Sequence, residues 1–332
     1  LPNVFKNDPR AANLAMFDMF ESDLKDDYQG VEVMFLHVHG GQAIHMRNQE
    51  VRSPADFAGK KLRIPTRTGA WVIEALGASP VAMPVPDLPQ ALAKGARMAG
   101  ATIFEDTKVT DLEIENGKIK AVVTDQGRIE CEKVICCAGQ WTREFAARFG
   151  VTVPLVSIEH QYMLTETIDG VTADLPTLRD PDRLTYYKEE VGGLVMGGYE
   201  PNPIPWATNS IPKDFHYTLL DSNFDHFEQL MELALGRVPA LETAGVKTLT
   251  NGPESFTPDG NFILGEAPEQ PGFFVGAGFN AFGIASGGGA GMALAEWVAK
   301  GEPPFDLWSA DIRRFGRPHF DTDWVRTRTV EA

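Results

Sequence analysis

Apolar residues near the end of the chain change from an unbroken run to a helical spacing. Phe273 to Ala277 form a short continuous apolar run, which is typical of a strand buried on both faces of a parallel sheet. From about Ile284 the spacing becomes helical, and one face carries Gly287, Gly291, Leu294 or Ala295, and Val298. The pattern predicts a strand, a glycine turn and a helix whose free N-terminal amides suit an electronegative group.

Three consecutive glycines, Gly287 to Gly289, lie in this predicted helix. Each costs about 1 kcal/mol of helix stability relative to alanine, so we expect a ligand or a packed strand to approach the backbone there. The spacing of Gly276, Gly278 and Gly283 differs from the GxGxxG of a dinucleotide site. A helix packed through its glycines against a sheet is the alternative that this stretch alone leaves open.

The middle of the chain shows the alternation of strands and hairpins. Val109–Glu115 and Lys118–Thr124 are joined by Asn116-Gly117, a strong hairpin signal. Residues 128–137 predict a third strand, and a helix is expected from Thr142. All three cysteines fall in or beside that strand, which favours buried thiols over a disulfide framework or a metal site.

A second alternating segment, residues 154–166, predicts a long strand. One face is mostly apolar and carries Val156, Ile158, His160, Tyr162 and Leu164. Residues 184–188 and 194–199 flank Gly192-Gly193 and predict another hairpin. Residues 221–235 predict an amphipathic helix, whose apolar stripe consists of Phe224, Phe227, Leu230, Met231 and Leu235.

The first 92 residues show a different order of predicted elements. Ser53 reads as an N-cap with Pro54 at the first helical position. Strands and helices alternate around it as in a βαβ segment. The predicted elements are a helix over 11–24, a strand over 31–37, a strand over 61–64, a helix over 70–76 and a strand over 81–83.

Composition narrows the range of functions. The 332 residues contain 46 acidic and 30 basic side chains, a net charge of −16, which disfavours nucleic acid or an anionic membrane surface as a partner. No apolar run has the length of a membrane span, and we expect a cytoplasmic protein. Because the first residue is Leu1, we expect a processed or truncated start. His37, His39 and His45 lack a further ligand at a recognisable spacing, so no metal is predicted.

Several separate motifs between about residues 90 and 318 resemble one family. They are Val134-Ile-Cys-Cys-Ala-Gly-Gln-Trp141, His160-Gln-Tyr162, Asn251-Gly-Pro-Glu-Ser-Phe-Thr-Pro-Asp-Gly260, Ile263-Leu-Gly265, the strand and helix of 272–300, and Asp311-Ile-Arg-Arg-Phe315. Their order resembles that of the FAD-dependent amine oxidoreductases that include dimethylglycine and sarcosine dehydrogenases. The resemblance implies FAD as cofactor, with the helix N-terminus facing the flavin edge on which negative charge develops during reduction.

This resemblance also implies a fold and a division of the chain. The expected fold class is α/β with an α+β substrate domain: an incomplete FAD-binding, glutathione-reductase-like fold with a mixed-sheet substrate domain, preceded by a partial βαβ segment. Residues 93–150 and 250–300 would form the parts of the FAD domain, and 151–249 the substrate domain. The family's GxGxxG unit and its ribose-binding acid are not found in the sequence.

The same family pattern implies roles for individual residues. His160 corresponds to a histidine above the flavin, and either Tyr186 or Tyr187 to an active-site tyrosine. The residues expected to bind the cofactor are Val109, Ala138, Gly139, Trp141, Gly278, Asn280, Gly283 and Ile284.

Residues 1–92 resemble a different class of protein. The segment from Val51 to Pro65, followed by residues 74–83, is similar to part of a TRAP-transporter solute-binding protein. In that family an arginine at the position of Arg63 pairs with a ligand carboxylate. An ordinary surface cation is the alternative for Arg63. The chain as a whole resembles a splice of two unrelated genes near residue 90.

Three functional hypotheses follow from these resemblances. The first is FAD-dependent oxidation of an N-methyl amine, such as sarcosine or dimethylglycine, by hydride transfer to the flavin. The others are a non-catalytic truncated fusion product and a fragment of a carboxylate-binding receptor. For the first, the expected partner is a small amine substrate, and the electron acceptor stays open.

Overall fold

The computed structural model describes residues 19–20, 53–64, 67–82, 87–173 and 175–331. The chain divides into two compact units, Leu1–Ile103 and Phe104–Ala332. The sequence patterns predict the boundary between the two parts of the chain at 92–93, about ten residues earlier. The finer division of the second unit into FAD and substrate domains stays a prediction.

The first unit contains a parallel βαβ arrangement. Strand β1 (Lys61–Ile64) pairs with β2 (Ser79–Ala82), and helix α1 (Arg67–Ala75) connects them. Buried Phe57, Ile73 and Ala78 form a small core. The described part of this unit also contains helix α2 (Leu88–Met98). The predicted βαβ rhythm is thus confirmed over 61–82, whereas nearly all of the helix predicted over 11–24 and the whole strand predicted over 31–37 lie outside the described residues.

The segment between α2 and the next strand is the expected site of first proteolytic cleavage. Residues 101–108 contain no helix or strand, and Phe104 is 60% exposed. A protease binds its cleavage site as an extended, accessible segment, which residues in helices and strands do not provide. Brief chymotrypsin digestion, followed by mass spectrometry, should therefore find the first cut after Phe104. A first cut within 109–124, with 101–108 still intact, contradicts this prediction.

The second unit begins with a three-stranded antiparallel sheet. Its strands are β3 (Val109–Glu115), β4 (Lys118–Thr124) and β5 (Gly127–Glu130). Asn116 and Gly117 have φ of 50° and 73°, as a tight hairpin turn with two left-handed residues requires. The hairpin prediction is confirmed. The single strand predicted over 128–137 is wrong, because the chain leaves this sheet after Glu130 and enters another one.

That second sheet is small and largely buried. Strand β6 (Val134–Cys136) runs parallel to β14 (Phe273–Ala277), and β13 (Ile263–Glu266) pairs antiparallel with β14 on its other side. Every residue of β14 is buried, as its unbroken apolar run predicted. The short helix α3 (Thr142–Ala147) follows β6, with a 3₁₀ turn at 139–141 between them.

Helix α5 (Gly283–Lys300) packs against this sheet through its second half. The buried positions are Ala290, Ala293, Leu294 and Trp297. Gly287 and Gly291 are exposed, and a Cβ added at either would meet no atom within 4 Å. The alternative of a helix packed through its glycines against a sheet is therefore wrong, because the larger side chains of a neighbouring face fill the interface.

The third sheet is centred on the long strand β7 (Val156–Thr165). Strand β12 (Val246–Phe256) pairs with one edge of β7, and β10 (Gly193–Gly198) and β11 (Pro205–Trp206) pair with its other edge. Strand β9 (Thr185–Glu190) continues from β10, and β8 (Leu178–Asp180) closes the sheet. All of these pairings are antiparallel.

Helix α4 (Phe224–Leu235) covers one face of the third sheet. Phe227 and Leu230 pack with Met163, Met196 and Tyr187 in one core cluster. The predicted apolar stripe is correct at its centre but wrong at its start. Phe224 is exposed and His226 is buried instead, and the helix begins at Phe224, directly after the Asn223 cap.

The two faces of β7 are not buried as the alternation of apolar and polar residues alone suggests. Gln161 and Met163 are buried beneath α4, whereas His160 and Tyr162 lie on the more open face. A last helix, α6 (Thr322–Glu331), packs on the start of β7 through Val325. None of the described helices combines the length and the hydropathy that crossing a bilayer demands.

Candidate active site

A row of side chains crosses the open face of the third sheet. Strand pairing aligns Tyr162 of β7 with Gly197 of β10, Gly197 with Tyr186 of β9, and Tyr186 with Arg179 of β8. Residues in register on adjacent strands project from the same face. Two phenols and one guanidinium therefore share the face opposite α4.

Gly197 makes this row possible. A Cβ at this position would lie 2.4 Å from the Tyr186 hydroxyl oxygen, so any larger residue would displace that ring. Burial raises the pKa of Tyr186 to about 12, and the neighbouring Tyr199 and Glu200 add to the shift. The phenol therefore stays protonated at neutral pH and acts as a hydrogen-bond donor.

Tyr187 lies on the other face of the same strand. It is buried in the core beneath α4, with its hydroxyl 3.0 Å from the Thr185 hydroxyl and 3.4 Å from the Ala234 carbonyl oxygen. The sequence left Tyr186 and Tyr187 as equal candidates. Their geometry assigns Tyr187 to packing and leaves Tyr186 accessible to a substrate.

His160 is held by a carboxylate that the sequence analysis did not single out. The His160 Nδ1 lies 3.2 Å from Glu200 Oε2, and Glu200 Oε1 accepts the backbone N–H of Gln161 at 3.1 Å. The Glu200 side chain is only 2% exposed. An acid directly after an apolar strand was the available signal. With both carboxylate oxygens occupied, Glu200 fixes the imidazole by its Nδ1 edge and leaves Nε2 for other contacts.

Arg179 was also missed. Its guanidinium carbon lies 5.9 Å from the Tyr199 ring centre and 5.8 Å from the Phe282 ring centre. The Tyr199 ring in turn lies 5.5 Å from His160. Among the residues that the structure describes, no acidic side chain forms a salt bridge with Arg179. The cation thus connects the tyrosine row with the start of α5 and keeps its hydrogen-bonding capacity for a ligand.

The predicted cofactor residues gather at one edge of the second sheet. Parallel strands β6 and β14 end side by side, which brings Ala138 and Gly139 close to Gly278. Gly139 and Gly278 have φ of 56° and 68°, and Asn280 has φ of 49°. The buried Asn280 accepts the Thr257 backbone N–H at 2.9 Å and donates to the Gly278 carbonyl at 2.8 Å. Side chains thereby hold an otherwise unfavourable turn in place.

Helix α5 begins directly after this turn. Phe282 is its N-cap and gives no side-chain cap, so the amides of residues 283–285 have no partner within the helix, whereas the Ser286 amide donates to the Phe282 carbonyl. Ile284 is 59% exposed and Trp141 41% exposed. Free amides with exposed apolar groups suit a large planar ring with an electron-rich edge.

Two predicted residues lie elsewhere. Val109 begins β3 of the three-stranded antiparallel sheet, and Arg63 lies in β1 of the first unit, in register with Val81. Their assigned roles stay predictions. Within the described ranges, no group of three His, Cys, Asp or Glu side chains is placed to hold a metal ion, and His37, His39 and His45 lie outside those ranges.

Comparison with known proteins agrees with this arrangement. The family model described as FAD dependent oxidoreductase matches residues 82–297, and the model of the FAD dependent oxidoreductase central domain matches 300–332. This chain belongs to the FAD-dependent oxidoreductases. FAD is the cofactor of the family, and the carboxyl edge of β6 and β14 with the start of α5 fits its flavin half. The model of the bacterial extracellular solute-binding proteins, family 7, matches residues 1–96 of this oxidoreductase, as the resemblance to TRAP-transporter proteins implied.

Two curated relatives cover similar parts of the oxidoreductase. Mitochondrial sarcosine dehydrogenase of Mus musculus is 41% identical over 247 residues, which make up 73% of this chain and 27% of that protein. The mitochondrial pyruvate dehydrogenase phosphatase regulatory subunit of Mus musculus is 39% identical over 249 residues, 74% of this chain and 28% of that protein. The chain thus spans less than a third of the length of these relatives.

A solved structure supports the expected fold class. L-proline dehydrogenase from P. horikoshii superposes with a TM-score of 0.58 at 25% identity, covering 69% of this chain and 59% of that one. The mixed α/β architecture with an FAD-binding part is confirmed.

Proposed function

We propose that this oxidoreductase acts on an N-methyl amino acid, such as sarcosine or dimethylglycine, and not on a simple amine. The observation that supports the proposal is the unpaired Arg179 on the same open sheet face as the His160–Glu200 pair, next to the start of α5. Such a substrate has a carboxylate at one end and an amine at the other. The site offers one complementary group for each.

Arg179 is the carboxylate-binding group in this proposal. A guanidinium has five N–H donors in a planar fork that matches a carboxylate. The rings of Tyr199 and Phe282 lie within cation–π distance of the guanidinium. Tyr186 is the neighbour of Arg179 on the adjacent strand. Its phenol stays protonated and supplies a further hydrogen-bond donor.

His160 is the amine-binding group. When Nδ1–H donates to Glu200, Nε2 carries the lone pair and accepts a proton or hydrogen bond from the substrate nitrogen. The amine is thereby held neutral, which it must be before its N-methyl carbon can lose a hydride. When bound, FAD supplies the acceptor for that hydride.

A second candidate is a non-catalytic role. One relative is named as a regulatory subunit, and the present sequence contains no GxGxxG unit to hold the phosphates of FAD. Under this alternative the chain keeps the fold of the family without turnover. Such a chain is not expected to bind amines that have a carboxylate more tightly than amines that lack one.

Substrate binding tests the primary proposal. Dimethylglycine should bind the chain roughly 10- to 100-fold more tightly than trimethylamine, because charge-assisted hydrogen bonds contribute about 1.5–3 kcal/mol. Arg179→Gln should abolish this preference when both ligands are titrated by calorimetry or followed by NMR line broadening.

Arg326→Gln is the matched control, because Arg326 is a surface arginine paired with Asp323 on α6. That variant should keep the preference for dimethylglycine. Equal binding of the two ligands by the unmodified chain rules out Arg179 as a carboxylate site and favours the non-catalytic alternative.

A further inference from the structure

A further cavity lies beside α6, near the start of β7. The cavity has a volume of about 190 Å³. It is lined by α3, by the loop after α3, by Asn209 and by the segment that leads into α6. At about 30 Å³ per molecule, this volume holds roughly six waters. The cavity therefore accommodates a ligand of a few heavy atoms.

Arg143 places a cation without a direct carboxylate partner in this cavity. Its Nη1 donates to the Leu155 carbonyl at 3.1 Å and its Nη2 to the Thr208 carbonyl at 2.7 Å, both of them uncharged acceptors. Within the described part of the chain, Arg143 forms no salt bridge. The adjacent Glu144 directs its carboxylate to the Ile211 backbone N–H at 2.6 Å. Two of the five guanidinium donors are thus used, and the others remain for a ligand.

Thr152 gives independent evidence of a missing partner. The residue lines the cavity and is 3% exposed, yet its hydroxyl has no hydrogen-bond partner among the described residues. Buried hydroxyls are almost always hydrogen-bonded, so an unpartnered one in a cavity indicates a bound molecule.

His319 also lines the cavity, and its ring is held at the Nδ1 edge. The Nδ1 lies 3.0 Å from the Gly316 backbone nitrogen and 3.1 Å from the Gly316 carbonyl oxygen. Part of the remaining wall is apolar and includes Val151, Val153 and Val325, and Asn209 and Thr322 add polar groups to it. Donors on one side and aliphatic groups on the other suit an acid with a short hydrocarbon tail.

We propose that this cavity is a binding site for a short-chain aliphatic monocarboxylate, held by Arg143 and Thr152. The carboxylate receives the guanidinium and hydroxyl donors, and the tail lies against the valines. A monoanion is favoured over a phosphate dianion, because the cavity contains one arginine and the acidic Glu144 lies beside it. The site is separate from the proposed amine site and does not depend on it.

Titration of the purified chain with butyrate tests the site, with butyramide and inorganic phosphate as comparison ligands. In the Arg179→Gln chain, which lacks the carboxylate-binding group of the proposed amine site, we expect one saturable butyrate site. Butyrate should bind there at least about tenfold more tightly than either comparison ligand, since the amide lacks the charge and phosphate carries too much of it. Thr152→Val keeps the shape of the side chain and should weaken butyrate binding about tenfold. Its thermal midpoint should stay unchanged or rise, because an unpartnered hydroxyl is removed.

Three further variants complete the design. Arg143→Gln should abolish butyrate binding. Thr218→Val changes an exposed threonine and should leave binding intact. Arg179→Gln should also leave it intact, which separates this site from the proposed amine site. Butyrate binding that is absent, that is unaffected by Thr152→Val, or that is lost in Arg179→Gln overturns the proposal.

Discussion

Purified without added cofactor, the chain should be nearly colourless, and added FAD should bind orders of magnitude more weakly than in a complete FAD site. The flavin half of such a site is present at Gly139, Gly278 and the start of α5. The sequence contains no GxGxxG turn and helix to receive the two phosphates. Each lost charge-assisted contact is worth about 1.5–3 kcal/mol, and every 1.4 kcal/mol is about tenfold in affinity.

Flavin absorbance and fluorescence titration measure this directly. Ile284→Asp places a negative charge at the first turn of α5 and should remove the residual binding, because the carboxylate competes for the free amides. Ile129→Asp makes the same change on the exposed strand β5 and should have no effect. A stoichiometric yellow protein with flavin absorbance bands contradicts the prediction.

With FAD in excess and a dye as electron acceptor, His160→Ala should lower the rate of dimethylglycine oxidation about 100-fold. The reason is the loss of the group that positions the amine and accepts its proton. Glu200→Ala should cost less, since the imidazole stays in place but can rotate about its side-chain bonds. Steady-state rates over a range of substrate concentrations separate the two effects.

His216→Ala is the control for this pair, because His216 is an exposed histidine of the same unit. Its rate should equal that of the unmodified chain. An unchanged rate in His160→Ala makes the histidine structural. A loss in His216→Ala as large as that in His160→Ala indicates general destabilisation and removes the assignment.

Elements whose signals are local could be predicted from the sequence. The β3–β4 hairpin depends on Asn116-Gly117, which adopts the left-handed conformation wherever it joins two strands. Strand β14 depends on an apolar run with no polar residue to turn outward. The turn at the carboxyl end of β14 follows from that apolar run and from Gly278 after it, whereas β6 is only part of the strand that the sequence predicts over 128–137.

Features that depend on register could not be predicted. Arg179 becomes part of the site only because β8 pairs with β9 so that it aligns with Tyr186. Glu200 reaches His160 across 40 residues of sequence. The open face of β7 could not be identified either, because both faces contain apolar residues and the position of α4 decides which is covered. Pairing and helix docking are tertiary properties that periodicity does not encode.

The exposed glycines of α5 have a consequence for how the helix is held together. Gly287 and Gly291 cost about 1 kcal/mol each relative to alanine and make no side-chain contacts in return. Leu294 and Trp297 anchor the second half. Amide hydrogens of the first two turns should therefore exchange with solvent faster than those near Trp297. Any ligand that contacts those first turns also shifts their opening equilibrium, so hydrogen exchange there reports binding even without a colour change.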